Sequence, residues 1–211
     1  MYFFLHKIPT FFTRWWPELT WHRQNQDKKI YLTFDDGPIP VVTEWVLDVL
    51  AQYDAKATFF CVGDNIRKHP AVFQRVISDG HKAGNHTFNH LKGWKTGNDH
   101  YLQNISECRD IMDQYVSDTA KPLFRPPYGA IKPSQIQVIK SEYEIVMWDV
   151  LSGDFEKNVS AERCLQMVLK YTESGSVVVF HDSIKTYEKL QKVLPQFLDY
   201  YTSRGYKFVT L

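Results

Sequence analysis

This chain is short of cysteine, of net charge and of long apolar runs. Its 211 residues include three cysteines, Cys61, Cys108 and Cys164. They are far apart and odd in number, so they make neither a CxxC pair nor a disulfide framework, which favours a reducing compartment. Lys and Arg total 25 against 24 Asp and Glu, so no net field draws nucleic acid or anionic lipid. No basic stripe with interleaved aromatics marks a nucleic-acid binder. There is no glycine-rich phosphate loop, no low-complexity segment and no repeat beyond an alternation of strands and helices.

No apolar run is long enough to cross a bilayer. The amino terminus reads MYFFLHKIPTFFTRWWPELTW, and His6, Lys7, Pro9 and Arg14 interrupt it. A secretory signal needs an unbroken apolar stretch and a small-residue cleavage site, and neither is present. The expectation is a cytoplasmic protein in which residues 1–28 are an aromatic-rich segment packed on one domain, 29–211. Weak contact of those aromatics with a membrane interface is the alternative, and the lack of a basic face weighs against it.

What is present is a core and a rhythm. Hydrophobic residues make up 44% and aromatics 15%, enough for one sizeable core. KIYLTF, KATFFCVG, HKAGNH, LFRPP, YEIVMWDV, SVVVFHD and KFVTL read as strands. Helical spacing or helix-boundary residues cover 43–53, 70–79, 99–116, 133–141, 160–171 and 187–203. About seven β/α units imply an α/β fold with a parallel sheet. A closed or distorted barrel suits the chain better than an open sheet, because its polar residues cluster at strand ends: Asp35 and Asp36, His86 and His90, Arg125, Asp149 and Asp154, His181 and Asp182. In a parallel barrel those ends meet on one face, where such folds carry their chemistry.

Two stretches stand out. In TFDDGP, adjacent acids close a strand, and consecutive strand residues face opposite ways, so the two cannot share one task in regular strand geometry. In NHTFNH, His86 and His90 stand four apart. That spacing alone fits two solvated histidines better than two metal ligands. With a strand-end carboxylate it becomes a His-His-Asp set with an open position, the pattern of a catalytic divalent ion: zinc first, then cobalt, nickel or iron. The loop 91–101 offers Trp94 as a candidate for substrate contact, or equally as an aromatic that simply packs.

TFDDGP, HTFNH, RPPYG, WDVLSGDF and VVFHD, in this order within residues 30–182, resemble the polysaccharide deacetylase family, carbohydrate esterase family 4. The resemblance implies a distorted (β/α) barrel and metal-dependent hydrolysis of N-acetyl groups on amino sugars of a poly- or oligosaccharide. It assigns Asp36, His86 and His90 to the metal and Asp35 to the general base, with Arg125 paired to it. His181 protonates the leaving amine, Asp154 holds His181, and the backbone N–H of Tyr128 helps stabilise the oxyanion. Tyr128 and Phe155 also fall on the substrate pocket. The family usually has Trp where this chain has Phe155, and Leu where it has Val179; both replacements are apolar, so the pocket stays dry but changes shape. Asp149 and Asp182 read as structural. Two other activities are compatible with the same residues: an amidohydrolase acting on a formylated or lipid-linked sugar, and a sugar-binding homologue without turnover. Retention of base, acid and ligands argues against the second.

Overall fold

The computed structural model describes residues 5–24, 27–117 and 120–211. Nine strands form one sheet: β1 (Leu19–Thr20), β2 (Lys29–Asp35), β3 (Thr58–Cys61), β4 (Lys82–Asn85), β5 (Leu123–Phe124), β6 (Glu144–Val146), β7 (Val150–Leu151), β8 (Val177–His181) and β9 (Lys207–Phe208). The order is β1-β6-β5-β4-β3-β2-β8-β7, with β9 added to the start of β2. Every strand pairing is parallel. The helices are α1 (Thr10–Trp15), α2 (Val42–Gln52), α3 (Gly63–Lys68), α4 (Pro70–Ser78), α5 (Asn98–Met112), α6 (Pro133–Glu142), α7 (Ala161–Tyr171) and α8 (Tyr187–Thr202). This is the distorted barrel that the alternation implies.

The central strand β2 shows how sequence places chemistry. Ile30, Leu32 and Phe34 are fully buried and join the core shared with α2, α7 and α8. Tyr31, Thr33 and Asp35 occupy the other face, toward the barrel interior, as the two-residue period of a strand requires. Such a strand, covered on both faces, carries an almost unbroken apolar run. Its register with β8 sets Thr33 beside Val179 and Asp35 beside His181. Two site candidates nearly 150 positions apart therefore share one level of the sheet.

YEIVMWDV, expected as one strand, is two. β6 pairs with β5 and β1, while β7 pairs with β8 at the far edge of the sheet. The carbonyls at the break turn to a buried side chain: Arg125 donates from Nε to Val146 O (3.2 Å) and from Nη2 to Met147 O (2.8 Å). Buried carbonyls need a partner, and the arginine replaces the missing strand.

The amino-terminal segment straddles this seam. Leu19 and Thr20 pair with Ile145 and Val146, while Lys7 bridges Val150. Buried Asp149 ties the segment down: it accepts from Lys7 Nζ (2.8 Å), Ser176 Oγ (3.1 Å) and the Val177 N–H (2.9 Å), and lies 3.1 Å from His22 Nδ1. On α1, by contrast, Phe11, Phe12 and Trp15 are exposed. Among the described residues, no helix is long and apolar enough to cross a membrane.

Candidate active site

The paired acids separate because the strand ends between them. Asp35 is the last residue of β2 and buries its side chain inside the barrel. Asp36 takes a left-handed conformation (φ 84°), which Asp tolerates better than most side chains. Its Oδ1 lies 3.1 Å from His90 Nε2 and 3.9 Å from His86 Nε2. The turn that follows is held by Asp182, which accepts from the Gly37 N–H (3.1 Å) and from the Thr43 hydroxyl. A Cβ at residue 37 would sit 2.0 Å from Asp182 Oδ2, so only glycine fits. Burial pushes the Asp182 carboxyl up to about 8.

His86 follows β4 and is buried. Its Nδ1 donates to the Arg125 carbonyl (2.8 Å). That bond fixes the tautomer and leaves the Nε2 lone pair for a cation. Burial also lowers its pKa to about 4, the neutral state a metal ligand needs. His90 reaches the same point from a tight loop rather than a helical turn. Thr87 and His90 have φ of 61° and 57°; the Leu91 N–H donates to Thr87 Oγ1 (3.0 Å) and the Asn89 N–H to Asn104 Oδ1 (2.9 Å). Asp36, His86 and His90 each offer one ligand atom, all within 4.8 Å of one another. Two imidazole nitrogens and one carboxylate oxygen suit a borderline divalent ion with positions left for water or substrate. Burial works against the Asp36 charge, yet His90, with His181 and His86 behind it, holds the carboxyl well below the usual range.

Behind Asp35 sits Arg125, fully buried. Its Nη1 donates to Asp35 Oδ1 and to Thr33 Oγ1, both at 2.7 Å, and its guanidinium stacks 4.0 Å from the centre of the Phe60 ring. Burial lowers the arginine pKa, and Asp35 opposes the shift. Across the sheet, Asp154 accepts from both the ring and the backbone of His181: Oδ1 is 2.8 Å from Nδ1, and Oδ2 is 2.8 Å from the N–H. Burial disfavours charging His181, but Asp154 outweighs it, with Asp36 and Asp35 adding to the pull, and the pKa rises to about 9. Phe155 meets the imidazole edge-on at 5.2 Å.

These groups line a cavity of about 250 Å³. Asp35, Asp36, His86, His90, Tyr128, Phe155 and His181 face it directly, with Trp148, Leu151 and Val179 completing the apolar wall. Arg125 and Asp154 stand one layer behind. Trp94 does not line the cavity: its Nε1 donates to Ile131 O (2.9 Å), and its exposed ring is linked to exposed Tyr128 through Lys92 Nζ, 5.8 Å from one ring centre and 5.3 Å from the other. Tyr128 has φ 61° and packs 4.7 Å from His90; no hydrogen bond among the described residues uses its backbone N–H. Sequence reasoning passed over Lys185, which lines the cavity and lies 3.4 Å from Asp36 Oδ2. The signal was available, since Lys185 follows the strand end of β8 as the other polar candidates follow theirs. A larger hollow of about 520 Å³ lies at the amino ends of β4 and β5, but no cation-binding cluster of the described residues falls in it, so size does not locate the chemistry.

An open cation site, with a buried acid and a carboxylate-held histidine beside it, has the groups that metal-assisted hydrolysis needs. Known proteins identify the family. The family model for polysaccharide deacetylase matches residues 22–144. A peptidoglycan-N-acetylglucosamine deacetylase of Bacillus cereus is 34% identical over 92% of this chain and 91% of its own. A chitooligosaccharide deacetylase of Azorhizobium caulinodans is 33% identical over 75% of each. The crystal structure of a peptidoglycan N-acetylglucosamine deacetylase superposes with a TM-score of 0.82 at 31% identity, covering 97% of this chain and 95% of that one. The chain belongs to the polysaccharide deacetylase family, carbohydrate esterase family 4, whose deacetylases are metalloenzymes.

Proposed function

We propose that this protein hydrolyses the N-acetyl group of amino sugars in a poly- or oligosaccharide, releasing acetate and leaving a free amine. The observation that carries this reading is the convergence of Asp35, His181 and the Asp36-His86-His90 cluster on one cavity of about 250 Å³. Asp36, His86 and His90 would hold a divalent ion, zinc by the chemistry of the donors, which would supply Lewis-acid polarisation of the acetamide carbonyl and a lowered pKa for water.

The chain's own residues do the rest. Asp35 accepts the proton of the attacking water, and Arg125 keeps that carboxylate aimed. As negative charge grows on the acetamide oxygen, the Tyr128 N–H is a fixed donor for it. His181, held by Asp154, gives its proton to the nitrogen as the C–N bond breaks, since an unprotonated amide nitrogen leaves poorly. Base and acid each contribute ~10²- to 10⁴-fold. Tyr128 and Phe155 wall the acetyl and sugar positions, and Trp94 offers its exposed face to a neighbouring sugar ring. The relatives act, by name, on peptidoglycan and chitooligosaccharide, which supports a β-linked N-acetylhexosamine chain as substrate.

The test is acetate release by zinc-loaded protein from N-acetylated, N-formylated and lipid-linked oligosaccharides. Acetate from the first group supports the proposal. Formate alone would redirect it, and bound zinc with no acid released from any substrate would leave a sugar-binding protein.

A further inference from the structure

The site has two cations at its rim that the hydrolysis does not employ. Lys185 stands on a 3₁₀ turn, Ile184–Thr186, just past β8. The turn is pinned, because Thr186 Oγ1 donates to His181 O and to Ser183 O (2.8 Å). The Lys185 side chain is 60% exposed. Its 3.4 Å approach to Asp36 Oδ2 is longer than a well-formed N–H···O bond, so an incoming anion can compete for it. Lys92 arrives from the loop after β4, and its ammonium lies over Tyr128 and Trp94. Of these, Tyr128 lines the cavity directly.

A neutral acetamido sugar has no charge to offer either lysine. We propose that Lys185 and Lys92 are specificity-determining residues that favour a glycan bearing an anionic substituent, carboxylate or phosphate, on or next to the N-acetyl sugar being hydrolysed. The inference rests on the deacetylase reading of the site and adds the substrate's charge to it. Lys185 would meet an anion beside the reacting acetamide, and Lys92 one on a neighbouring ring, where the aromatic faces also hold it. Position matters here more than net charge, because the chain as a whole is nearly neutral and long-range steering is weak.

The experiment compares kcat/KM for acetate release from three N-acetylated oligosaccharides of equal length: neutral, carboxylated and phosphorylated. Each is assayed with wild type, Lys185→Ala, Lys92→Ala and the double variant, with zinc content measured alongside. In wild type the anionic glycans are preferred, and the preference shrinks as salt is raised. Each single variant lowers the anionic-to-neutral ratio by about fivefold, the upper range for an exposed charge pair, mainly through KM. The carboxylated and phosphorylated arms show which anion the rim takes. A ratio near one in wild type, with acetate still released, would overturn the inference and leave the deacetylase intact. So would a Lys185→Ala variant that loses zinc and all three activities in step, because the lysine would then act only by positioning Asp36. Failure of wild type to release acetate from any glycan would sink both.

Discussion

Arg125 donates to Asp35 at 2.7 Å inside the barrel, and both side chains are all but closed off from water. The same guanidinium holds Thr33 and the two carbonyls where β6 stops. One residue thus aims the proposed base and closes the seam of the sheet. Removing one partner of a buried pair leaves the other charge stranded. Arg125→Met should lower the unfolding free energy by about 3–5 kcal/mol and abolish turnover, as read by urea denaturation and acetate assay. Full stability in that variant would show that the pair is dispensable.

The base and a metal ligand should fail differently. Asp35→Asn removes the base but no proposed ligand, so turnover should fall ~10²- to 10⁴-fold while zinc stays bound. His90→Ala removes a ligand and should lose most zinc affinity. Equilibrium dialysis of both variants distinguishes them; zinc lost from Asp35→Asn would mean that the roles of Asp35 and Asp36 are exchanged.

His181 gives a pH signature. Its pKa is raised from 6.5 to about 9 in the folded chain, so the folded state binds a proton that the unfolded state releases earlier. That stabilisation is complete below about pH 6.5 and fades as the pH rises through about 9, by at most about 1.4 kcal/mol per pH unit. Denaturation of metal-free protein across this window should show the decline. Asp154→Asn should flatten it and move the alkaline limb of kcat to lower pH. An unchanged profile in that variant would separate Asp154 from the proton on His181.

Gly37 couples the turn to the cation site. With Asp182 occupying the space a Cβ would need, Gly37→Ala must push the turn away and carry Asp36 with it. The variant should lose about 1–3 kcal/mol of stability and bind zinc more weakly. Wild-type zinc affinity in a folded Gly37→Ala protein would show that the turn does not set the position of Asp36.

Much of this was written locally in the chain. TFDDGP ends a strand buried on both faces, and the strand's end between the two acids separates Asp35 from its neighbour. The parallel alternation gathers the strand ends, so Asp35, His86 and His181 could be assigned to one face without coordinates. The seam was not legible, because YEIVMWDV carries no glycine or proline to mark a break, and the break depends on Arg125 capturing carbonyls from another strand. β1 escaped notice for a related reason: its two residues pair with β6 only because the sheet is open there. Trp94 was a substrate-contact candidate from its loop, and the bond from its indole to Ile131 places it outside the cavity with its ring exposed. Lys185 follows a strand end like the others, but on an exposed turn, where lysine is common, that position drew no notice.

The most direct test is a zinc titration of metal-free protein in the presence of an N-acetylglucosamine oligosaccharide, with acetate and free amine counted together. The account predicts equal amounts of acetate and amine, a rate that saturates at one zinc per chain, and no response in His90→Ala. Zinc binding at full occupancy with neither product formed from any N-acetylated glycan would contradict it.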